Sequence, residues 1–393
     1  MLASVAAGAL LFGGAAAVAS PWWAEEFGGG TDQPVAQTAA EPVAVVTPDD
    51  GAREINPAAP PKITVSDGKI DAVSLVPDAG GSAVAGTVSE DETVWTAAEA
   101  LAFNTDYTLE YTLAAADGRT TSHTRTFSTV SEAHEADAYV YPVDGSVVGI
   151  GQPIEINFSE PVLNKKAVEA AITVTSTSGQ KGAFYWVTDT KVRYRPEAFW
   201  APQSTITVDL RLFGVDFGGG MIGNFNKTIS VSTHNTRLAV VDNADKMMRV
   251  YIDGQLTRTF PVTLGNEDWP STEGYHVIMD QHESIPFRAE SLGLKPGDEH
   301  YYEPVTATNA SRISNGGAFI HEALPSAQPI LGLANVSHGC IGMSPEGAKY
   351  IYDMFDAGDV VQVLNTGYGP MDVGDGFGDW NVSWAEWTSQ VKQ

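Results

Sequence analysis

The 393-residue sequence has little of two things: cysteine, of which Cys340 is the only one, and basic residues. A single cysteine has no partner within its chain, so no intramolecular disulfide can hold this fold together. Lysine and arginine number 22 against 49 acidic residues, which leaves a formal net charge of −27. This balance provides no basic patch for a phosphate backbone, and nucleic acid is therefore excluded as an expected partner.

The composition of the sequence favours β-sheets. Apolar residues make up 43% of the chain, and 39 glycines with 22 prolines indicate many turns between short strands. A chain of 41.7 kDa is too long for one compact core. We therefore expect a mainly β protein with two or three domains.

The first residues carry no charge until Glu25. We interpret residues 1–20, which include the small-residue site Ala17-Val18-Ala19, as a cleaved signal peptide or, with Trp22 and Trp23 at the interface, as a retained membrane anchor. Residues 21–46 are rich in Gly, Pro, Ala and Thr and predict a flexible linker. Either reading places the protein outside the cytoplasm, secreted or anchored on the outer face of the membrane.

Two later segments echo each other. Thr47–Val65 and Tyr141–Phe158 share a Pro-x-Asp-Gly turn, prolines and an alternating strand. The echo predicts two immunoglobulin-like β-sandwich modules, at residues 47–132 and 133–234. A carbohydrate-binding or docking role is one interpretation of these modules. We favour a spacer, because the sequence reveals no aromatic platform in them.

From about Thr236 the pattern changes to consecutive hairpins around Asn243-Ala244-Asp245 and Asp253-Gly254. The stretch Ile285–Gly317 is rich in turn formers and is predicted to be a long loop. A short strand, Ala318–Ala323, follows it. A helix is expected from Pro345 to about Asp356.

The tail of the sequence predicts a second short helix. Ser383 and Glu386 form a Ser-x-x-Glu capping box, and Trp384 and Trp387 share one face of the helix that it starts. Trp380 lies just ahead. We expect these indoles to pack on the domain that contains the cysteine rather than to bind glycan.

Cys340 lies beside His338, in a stretch flanked by Gly339 and Gly342, at the approach to the predicted helix. A buried inert thiol or an intermolecular disulfide are the alternatives to a catalytic role. We favour catalysis, because an imidazole can take the thiol proton and free a thiolate to attack a carbonyl. A zinc site from His321, His338 and Cys340 is a further alternative, but three ligands at this spacing match no closed structural pattern.

The stretch "HEALPSAQPILGLANVSHGCIG" resembles the signature of the L,D-transpeptidase catalytic domain, in which a histidine precedes Ser/Thr-His-Gly-Cys by about fifteen residues. The likeness extends over Thr236–Gln393, through "PVTLGNEDWPSTEGYHVI" and the tryptophan-containing tail. It implies a β-rich catalytic domain at residues 235–365, with one or two short helices, and a C-terminal subdomain at 366–393. Multi-domain members of that family also carry two immunoglobulin-like modules.

The resemblance also implies roles for single residues. Cys340 would be the nucleophile, and His321 the general base, oriented by the backbone carbonyl of Glu322. His338 would assist at the site, while Ser337, Gly339 and Gly342 would shape the oxyanion hole and the wall. The residues expected to bind substrate are Tyr302 or Tyr301 in a lid, with Asn315, Gly316 and Gly317. Neither a cofactor nor a metal is implied.

The implied reaction is acyl transfer between peptidoglycan stem peptides in cell-wall biogenesis. A tetrapeptide donor would lose its terminal D-alanine and form a 3→3 cross-link with an acceptor stem, and carbapenem β-lactams would acylate the same thiol. One position departs from the family, which usually has Asn or Arg where this chain has Gly342. The alternatives are an L,D-carboxypeptidase, in which water is the acceptor, and a non-enzymatic wall-binding protein.

Overall fold

The computed structural model describes residues 40–298 and 301–392. The predicted signal peptide or anchor and most of the predicted linker therefore lie outside the described residues. Within the described ranges, no helix has the length and apolar character needed to cross a lipid bilayer. The chain is mainly β, as predicted, with two β-sandwiches followed by a third domain built on one large sheet.

The first sandwich consists of two four-stranded sheets, ordered β1-β3-β6-β5 and β2-β8-β7-β4. Its strands are β1 Val43–Thr47, β2 Ala52–Ile55, β3 Lys62–Ser66, β4 Gly68–Pro77, β5 Gly86–Val88, β6 Val94–Ala97, β7 Asp106–Ala115 and β8 Thr120–Thr129. Alternate residues of β7 from Tyr107 to Leu113 are buried between the sheets. Strand β1 begins at Val43, so residues 43–46 belong to a sheet and not to the predicted linker.

The second sandwich repeats this arrangement with the sheets β10-β12-β15-β14 and β11-β19-β16-β13. The same module also contains a small three-stranded sheet, β17-β18-β9. Its elements are β9 Glu135–Ala136, β10 Ala138–Tyr141, β11 Val147–Val148, β12 Ile154–Phe158, α1 Lys165–Ala170, β13 Ile172–Ser176, β14 Gly182–Thr188, β15 Lys191–Pro196, β16 Thr205–Arg211, β17 Asp216–Gly218, β18 Met221–Gly223 and β19 Asn226–Thr233, with a 3₁₀ turn at Glu132–His134 ahead of them. The echoed segments occupy equivalent places, because β1 pairs antiparallel with β3 and β10 pairs antiparallel with β12.

The third domain is a nine-stranded sheet in the order β23-β28-β20-β21-β22-β27-β26-β25-β24. Its strands are β20 Arg237–Asp242, β21 Met247–Ile252, β22 Gln255–Thr263, β23 Gly274–Val277, β24 Asp280–Phe287, β25 Val305–Arg312, β26 Phe319–Glu322, β27 Ile341–Met343 and β28 Val360–Leu364. The predicted hairpins at β20–β21 and β21–β22 are confirmed. The predicted long loop is wrong in part, since residues 285–287 and 305–312 lie in β24 and β25, which pair along their lengths; residues 288–304 and 313–317 lie outside the strands, as predicted.

Helix α2, Pro345–Met354, packs on this sheet, and Ser344 caps it by accepting a hydrogen bond from the backbone N–H of Gly347. Its buried face includes Ala348 and Ile351. After β28 the chain forms a C-terminal segment, residues 366–392. This segment contains the helix α3, Trp384–Trp387, between 3₁₀ turns at Gly378–Asn381 and Thr388–Lys392; two further 3₁₀ turns lie at Ala289–Leu292 and Gln328–Ile330.

The expectation that the C-terminal tryptophans pack on the third domain is wrong, because their main contacts are with the second sandwich. Trp387 is fully buried, stacks on Tyr185 at 4.6 Å between ring centroids and donates its indole N–H to the carbonyl of Ala183. Trp380 donates to the carbonyl of Gly151. The guanidinium of Arg195 lies 4.3 to 5.5 Å from three indole rings of this segment: Trp380, Trp384 and Trp387.

A buried ion network extends the same interface. Arg193, whose side chain is 2% exposed, bonds Glu155 through Nε at 2.7 Å and Asp379 through Nη1 at 2.8 Å. Its Nη1 also donates to the carbonyl of Val373. Burial raises the pKa of the Asp379 carboxyl, and the positive charge of Arg193 opposes that rise. The second sandwich is therefore joined to the end of the chain, and a spacer role does not describe it fully.

This network generates a stability prediction. Arg193→Ala should lower the free energy of unfolding by about 3 to 5 kcal/mol, because it leaves the fully buried Asp379 without its ion-pair partner and Glu155 with Lys191 alone. Arg211→Ala, which removes an arginine that is 62% exposed and paired on the surface with Asp209, should leave stability unchanged within error. Denaturant unfolding followed by tryptophan fluorescence would compare the two variants. Equal stabilities would show that the Arg193 network does not hold the interface.

Candidate active site

The candidate site is formed where β26 and β27 lie side by side. These two short strands pair in parallel, with Ile320 opposite Ile341 and His321 opposite Gly342. Cys340 directly precedes β27, so the pairing brings the thiol next to the strand that carries His321. Both side chains are only 9% exposed. One parallel ladder thus brings two residues that are nineteen positions apart in the sequence to the same part of the sheet.

A cavity of about 640 Å³ opens over this ladder. Seven residues predicted from the sequence to belong to the site line it: Tyr302, Gly317, His321, Ser337, His338, Cys340 and Gly342. The remainder of the lining is mostly apolar. A concave, largely apolar space with a few polar groups is the usual form of a ligand site.

The thiol of Cys340 is held in its neutral form. Its Sγ donates to the carbonyl oxygen of Gly317 across 3.6 Å. Burial raises the pKa of Cys340 to about 11, and a hydrogen bond from the backbone of Phe319 opposes the rise only in part. At neutral pH the resting residue is therefore a thiol, and it needs a base to become a nucleophile.

The ring of His321 has one nitrogen free to accept a proton. Its Nδ1 lies 2.7 Å from the carbonyl oxygen of Glu322, which can only accept, so Nδ1 carries the proton and Nε2 keeps its lone pair. Burial lowers the pKa of His321, which keeps the ring neutral. The ring of Phe287 meets it edge-on at 5.0 Å between centroids. The side chain of Glu322 is engaged elsewhere, by the hydroxyl of Thr308.

The turn before the thiol is fixed by hydroxyl groups. The Oγ of Ser337 donates to the carbonyl of Cys340 at 2.6 Å, and the Oγ of Ser271 donates to the carbonyl of Gly339 at 2.8 Å. Gly339 has φ of +105°, a conformation that residues with a side chain rarely adopt. These contacts define where Cys340 lies relative to the cavity.

His338 lies between two aromatic rings, with centroids 4.8 Å from Trp269 and 5.3 Å from Tyr302. Tyr302 belongs to the loop of residues 288–304 and lines the cavity. Burial is the main cause that raises the pKa of the Tyr302 hydroxyl, and the neighbouring Cys340 adds to it. Of the two tyrosines considered for the lid, Tyr302 is thus the one near the thiol, whereas Tyr301 donates to Glu290.

Two of the predicted substrate-binding residues are not part of the cavity wall. Asn315 donates through Nδ2 to the carbonyl of Gly374, and the N–H of Gly316 donates to Asp375 at 2.6 Å. Both residues therefore contact the C-terminal segment. Gly317, the next residue, lines the cavity and accepts from the thiol.

The sequence analysis missed the apolar wall of the cavity. One part of it comes from Ile285 and Phe287 on β24, and another from Leu324, Ala327 and Ile330 between β26 and β27. The two β24 residues lie two positions apart, which is the spacing of one strand face, and that signal was present in a stretch predicted to be a loop. The second group recurs every third residue, but over a stretch too short to predict a helix from, and it ends in the 3₁₀ turn Gln328–Ile330.

The zinc alternative finds no support in the geometry. Among residues 40–298 and 301–392, no cluster of three or more His, Cys, Asp or Glu side chains is placed to hold a metal ion. His338 contacts the tilted rings of Trp269 and Tyr302, and His321 is fixed through Nδ1 by a carbonyl. The two imidazoles and the thiol are therefore placed for different tasks.

Gly342, the position that departs from the family pattern, has no room for a side chain. A Cβ added there would lie 2.8 Å from Cγ2 of Thr263 and 3.2 Å from Cβ of Ala323. Thr263 pairs with Gly342 in the ladder, and its hydroxyl is fixed by a bond to the carbonyl of Ala334. Thr263 and Ala323 thus fill the space that a larger residue after the cysteine would need.

The fold and the site together define a multi-domain β protein whose last domain holds a thiol and an imidazole in one apolar cavity. Residues 236–363 match the L,D-transpeptidase catalytic domain, and residues 52–216 match a bacterial Ig domain. L,D-transpeptidase 2 of Mycobacterium tuberculosis is 36% identical over 338 residues, which cover 86% of this chain and 82% of that protein. The chain belongs to the L,D-transpeptidase family, which is a family of acyltransferases.

Two further similarities agree with this membership. L,D-transpeptidase 5 of Mycobacterium tuberculosis is 30% identical over 350 residues, which cover 87% of this chain and 75% of that protein. The solved structure of an LD transpeptidase in complex with imipenem has a TM-score of 0.52 and 28% sequence identity. That likeness covers 57% of this chain and 97% of the other.

The state of the thiol predicts a pH dependence. With the pKa of Cys340 raised to about 11, the thiolate fraction is about one in a thousand at pH 8 and grows tenfold with each pH unit. Alkylation by iodoacetamide, measured by intact mass, should therefore rise about tenfold per unit between pH 7 and pH 9.5, without a plateau. Cys340→Ser should give no adduct. A plateau reached by pH 8 would instead indicate a preformed thiolate–imidazolium pair.

The packing at Gly342 predicts a specific rescue. Gly342→Ala should lower the free energy of unfolding by about 1 to 3 kcal/mol, because the new Cβ overlaps the methyl group of Thr263. Adding Thr263→Ser removes that methyl and keeps the hydroxyl, so the double variant should be more stable than the sum of the single changes predicts. Denaturant unfolding of the four proteins measures the coupling. Simple additivity would refute the clash.

Proposed function

We propose that this protein is a peptidoglycan L,D-transpeptidase that forms 3→3 cross-links outside the cytoplasmic membrane by cysteine-dependent acyl transfer. One observation carries the proposal: a neutral thiol and a neutral imidazole, on neighbouring strands, line the same apolar cavity. Membership of the L,D-transpeptidase family supports the choice of substrate. The net charge of −27 agrees with a binding partner other than nucleic acid.

In the first half of the reaction, Sγ of Cys340 attacks the carbonyl carbon of the third stem residue, diaminopimelate, while its proton passes to Nε2 of His321. Backbone N–H groups near Gly339 and Cys340 would hold the oxygen of the tetrahedral intermediate. The intermediate collapses to a thioester when the C–N bond to the terminal D-alanine breaks. His321 returns its proton to the leaving amine, so the charges balance.

In the second half, the side-chain amine of an acceptor stem attacks the thioester carbonyl and gives up a proton to His321. The C–S bond breaks, the thiolate of Cys340 takes that proton back, and the new amide is the cross-link. Water in place of the amine would give an L,D-carboxypeptidase by the same route. The apolar lining favours the amine, because it limits the access of water to the thioester.

We extend the proposal to β-lactams of the carbapenem class. The similar LD transpeptidase was solved in complex with imipenem. In this chain, the carbonyl of a strained lactam would enter the same cavity and acylate Cys340 by the first half-reaction, with the ring nitrogen as leaving group. Because the ring nitrogen stays tethered to the acyl group, the adduct would persist.

The proposed location follows from the substrate, since peptidoglycan lies beyond the cytoplasmic membrane. The uncharged N-terminal run supports export of the chain, either as a secreted protein or on an anchor. The two sandwiches would then hold the third domain within reach of the wall.

The proposal predicts a product and a loss of function. With tetrapeptide stems, the full chain should release D-alanine and yield a dimer whose mass equals two stems less one D-alanine. Cys340→Ala should release none. His321→Gln should lower the rate by about a hundredfold or more, because a positioned base contributes at least that much. Liquid chromatography with mass spectrometry measures product and D-alanine together.

The control is imipenem labelling of the same proteins. One adduct per chain is expected, located on the peptide that contains Cys340. D-alanine release without dimer would identify a carboxypeptidase, and binding of stems without D-alanine release would identify a non-enzymatic wall-binding protein. Cross-linking by Cys340→Ala would overturn the proposal entirely.

A further inference from the structure

The loop beside the thiol is held by the C-terminal segment. This glycine loop, Asn315–Gly317, meets the C-terminal turn, Asp372–Gly376, through two hydrogen bonds. The N–H of Gly316 donates to Oδ1 of Asp375 at 2.6 Å, and Nδ2 of Asn315 donates to the carbonyl of Gly374 at 3.2 Å. A Cβ added to buried Gly376 would lie 3.2 Å from Cα of Ser314, so the two backbones are closely packed just behind these bonds.

The C-terminal turn is itself fixed. The carboxylate of Asp372 accepts from the N–H of Gly374 at 2.7 Å, and the carbonyl of Asp372 accepts from the N–H of Asp375 at 3.1 Å. Arg193 of the second sandwich donates to the carbonyl of Val373 at 2.8 Å from its buried position. Asp375 is therefore presented to the glycine loop by a rigid support.

The glycine loop touches the reacting atom. The carbonyl of Gly317 accepts the hydrogen bond from Sγ of Cys340, and Gly317 has φ of +91°. We infer that Asp375 is a positioning residue that sets the orientation of the Cys340 thiol, because it holds the N–H of Gly316 and thereby limits the movement of the Gly317 carbonyl, two peptide groups further along the same short loop. The inference rests on the proposed function only in taking Cys340 as the nucleophile.

Loss of this support should have two opposite effects. The carbonyl of Gly317 stabilises the S–H form and repels a thiolate, so a loop that moves away makes the thiol more acidic and more hydrated. A small reagent that needs only a thiolate then reacts faster. Attack on a carbonyl bound in the cavity needs one orientation of Sγ, and that reaction becomes slower. General loosening of the fold would also expose the thiol, so the discriminating readouts are the recovery of both rates in Asp375→Asn and a melting temperature of Asp375→Ala close to that of the unchanged protein.

The experiment compares two reactions of Cys340 in the full chain. With Asp375→Ala, alkylation by iodoacetamide at pH 8 should rise about fivefold and acylation by imipenem should fall about fivefold, the change expected for one lost hydrogen bond. Asp375→Asn keeps an acceptor oxygen and should behave like the unchanged protein in both reactions. Asp353→Ala removes an equal charge from an exposed pair with Lys349 and is the matched control.

Asn315→Ala removes the hydrogen bond from Asn315 to the carbonyl of Gly374, the second bond between the glycine loop and the C-terminal turn. Alkylation should again become faster and acylation slower, each by a smaller factor than in Asp375→Ala. Asn315→Ala provides the test if Asp375→Ala does not fold, as judged by its melting temperature. Three outcomes would overturn the inference. The folded variants could keep unchanged rates, or both rates could change in the same direction. Asp375→Asn could also behave like Asp375→Ala. Alkylation by iodoacetamide needs no peptidoglycan substrate. If the protein without substitutions releases no D-alanine, the proposed function is refuted, but the inference that Asp375 positions the thiol still stands.

Discussion

The parallel pairing of β26 with β27 is the constraint on which the site depends. Parallel neighbours cannot be joined by a tight turn, so the chain must make a long connection between Glu322 and Ile341. That connection supplies one part of the cavity wall and ends in the turn that presents Cys340. The ladder itself places His321 opposite Gly342. The same pairing therefore positions the imidazole of His321 and the thiol of Cys340 along one cavity.

Burial at this ladder has a chemical consequence. It raises the pKa of Cys340 and lowers that of His321, so both groups rest in their neutral forms. Such a pair is protected from unspecific oxidation, which follows thiolate character. The carbonyl of Glu322 determines which ring nitrogen is free, and this explains why the side chain at that position can bond Thr308 instead.

Much of this could be predicted from the sequence, because the informative signals are local. The echoed Pro-x-Asp-Gly segments indicated two sandwiches, Pro345 marked the start of α2, and the His-Gly-Cys run indicated the site. The contacts of Trp387 and the pairing of β24 with β25 could not be predicted, because they depend on residues far apart in the chain. The capping box at Ser383 indicated a helix, but it carried no information on which domain the helix would meet.

The reason for Gly342 was equally hidden, because it lies in the packing of Thr263 and Ala323 and not in the neighbouring sequence. A family motif shows that a residue is unusual at its position. Only the surrounding side chains show whether the space for the usual residue still exists. Here it does not, and the departure is part of the local packing.

The contact of Arg195 with the three indoles implies an order of folding. Arg195 lies in the middle of the second sandwich, yet the side chains that cover its guanidinium are Trp380, Trp384 and Trp387, close to the last residue of the chain. During synthesis the second sandwich emerges from the ribosome well before these tryptophans. Its arginine stays without these rings until residues 380–387 have been translated, and a chain that stops before Trp380 would lack the indoles that cover it.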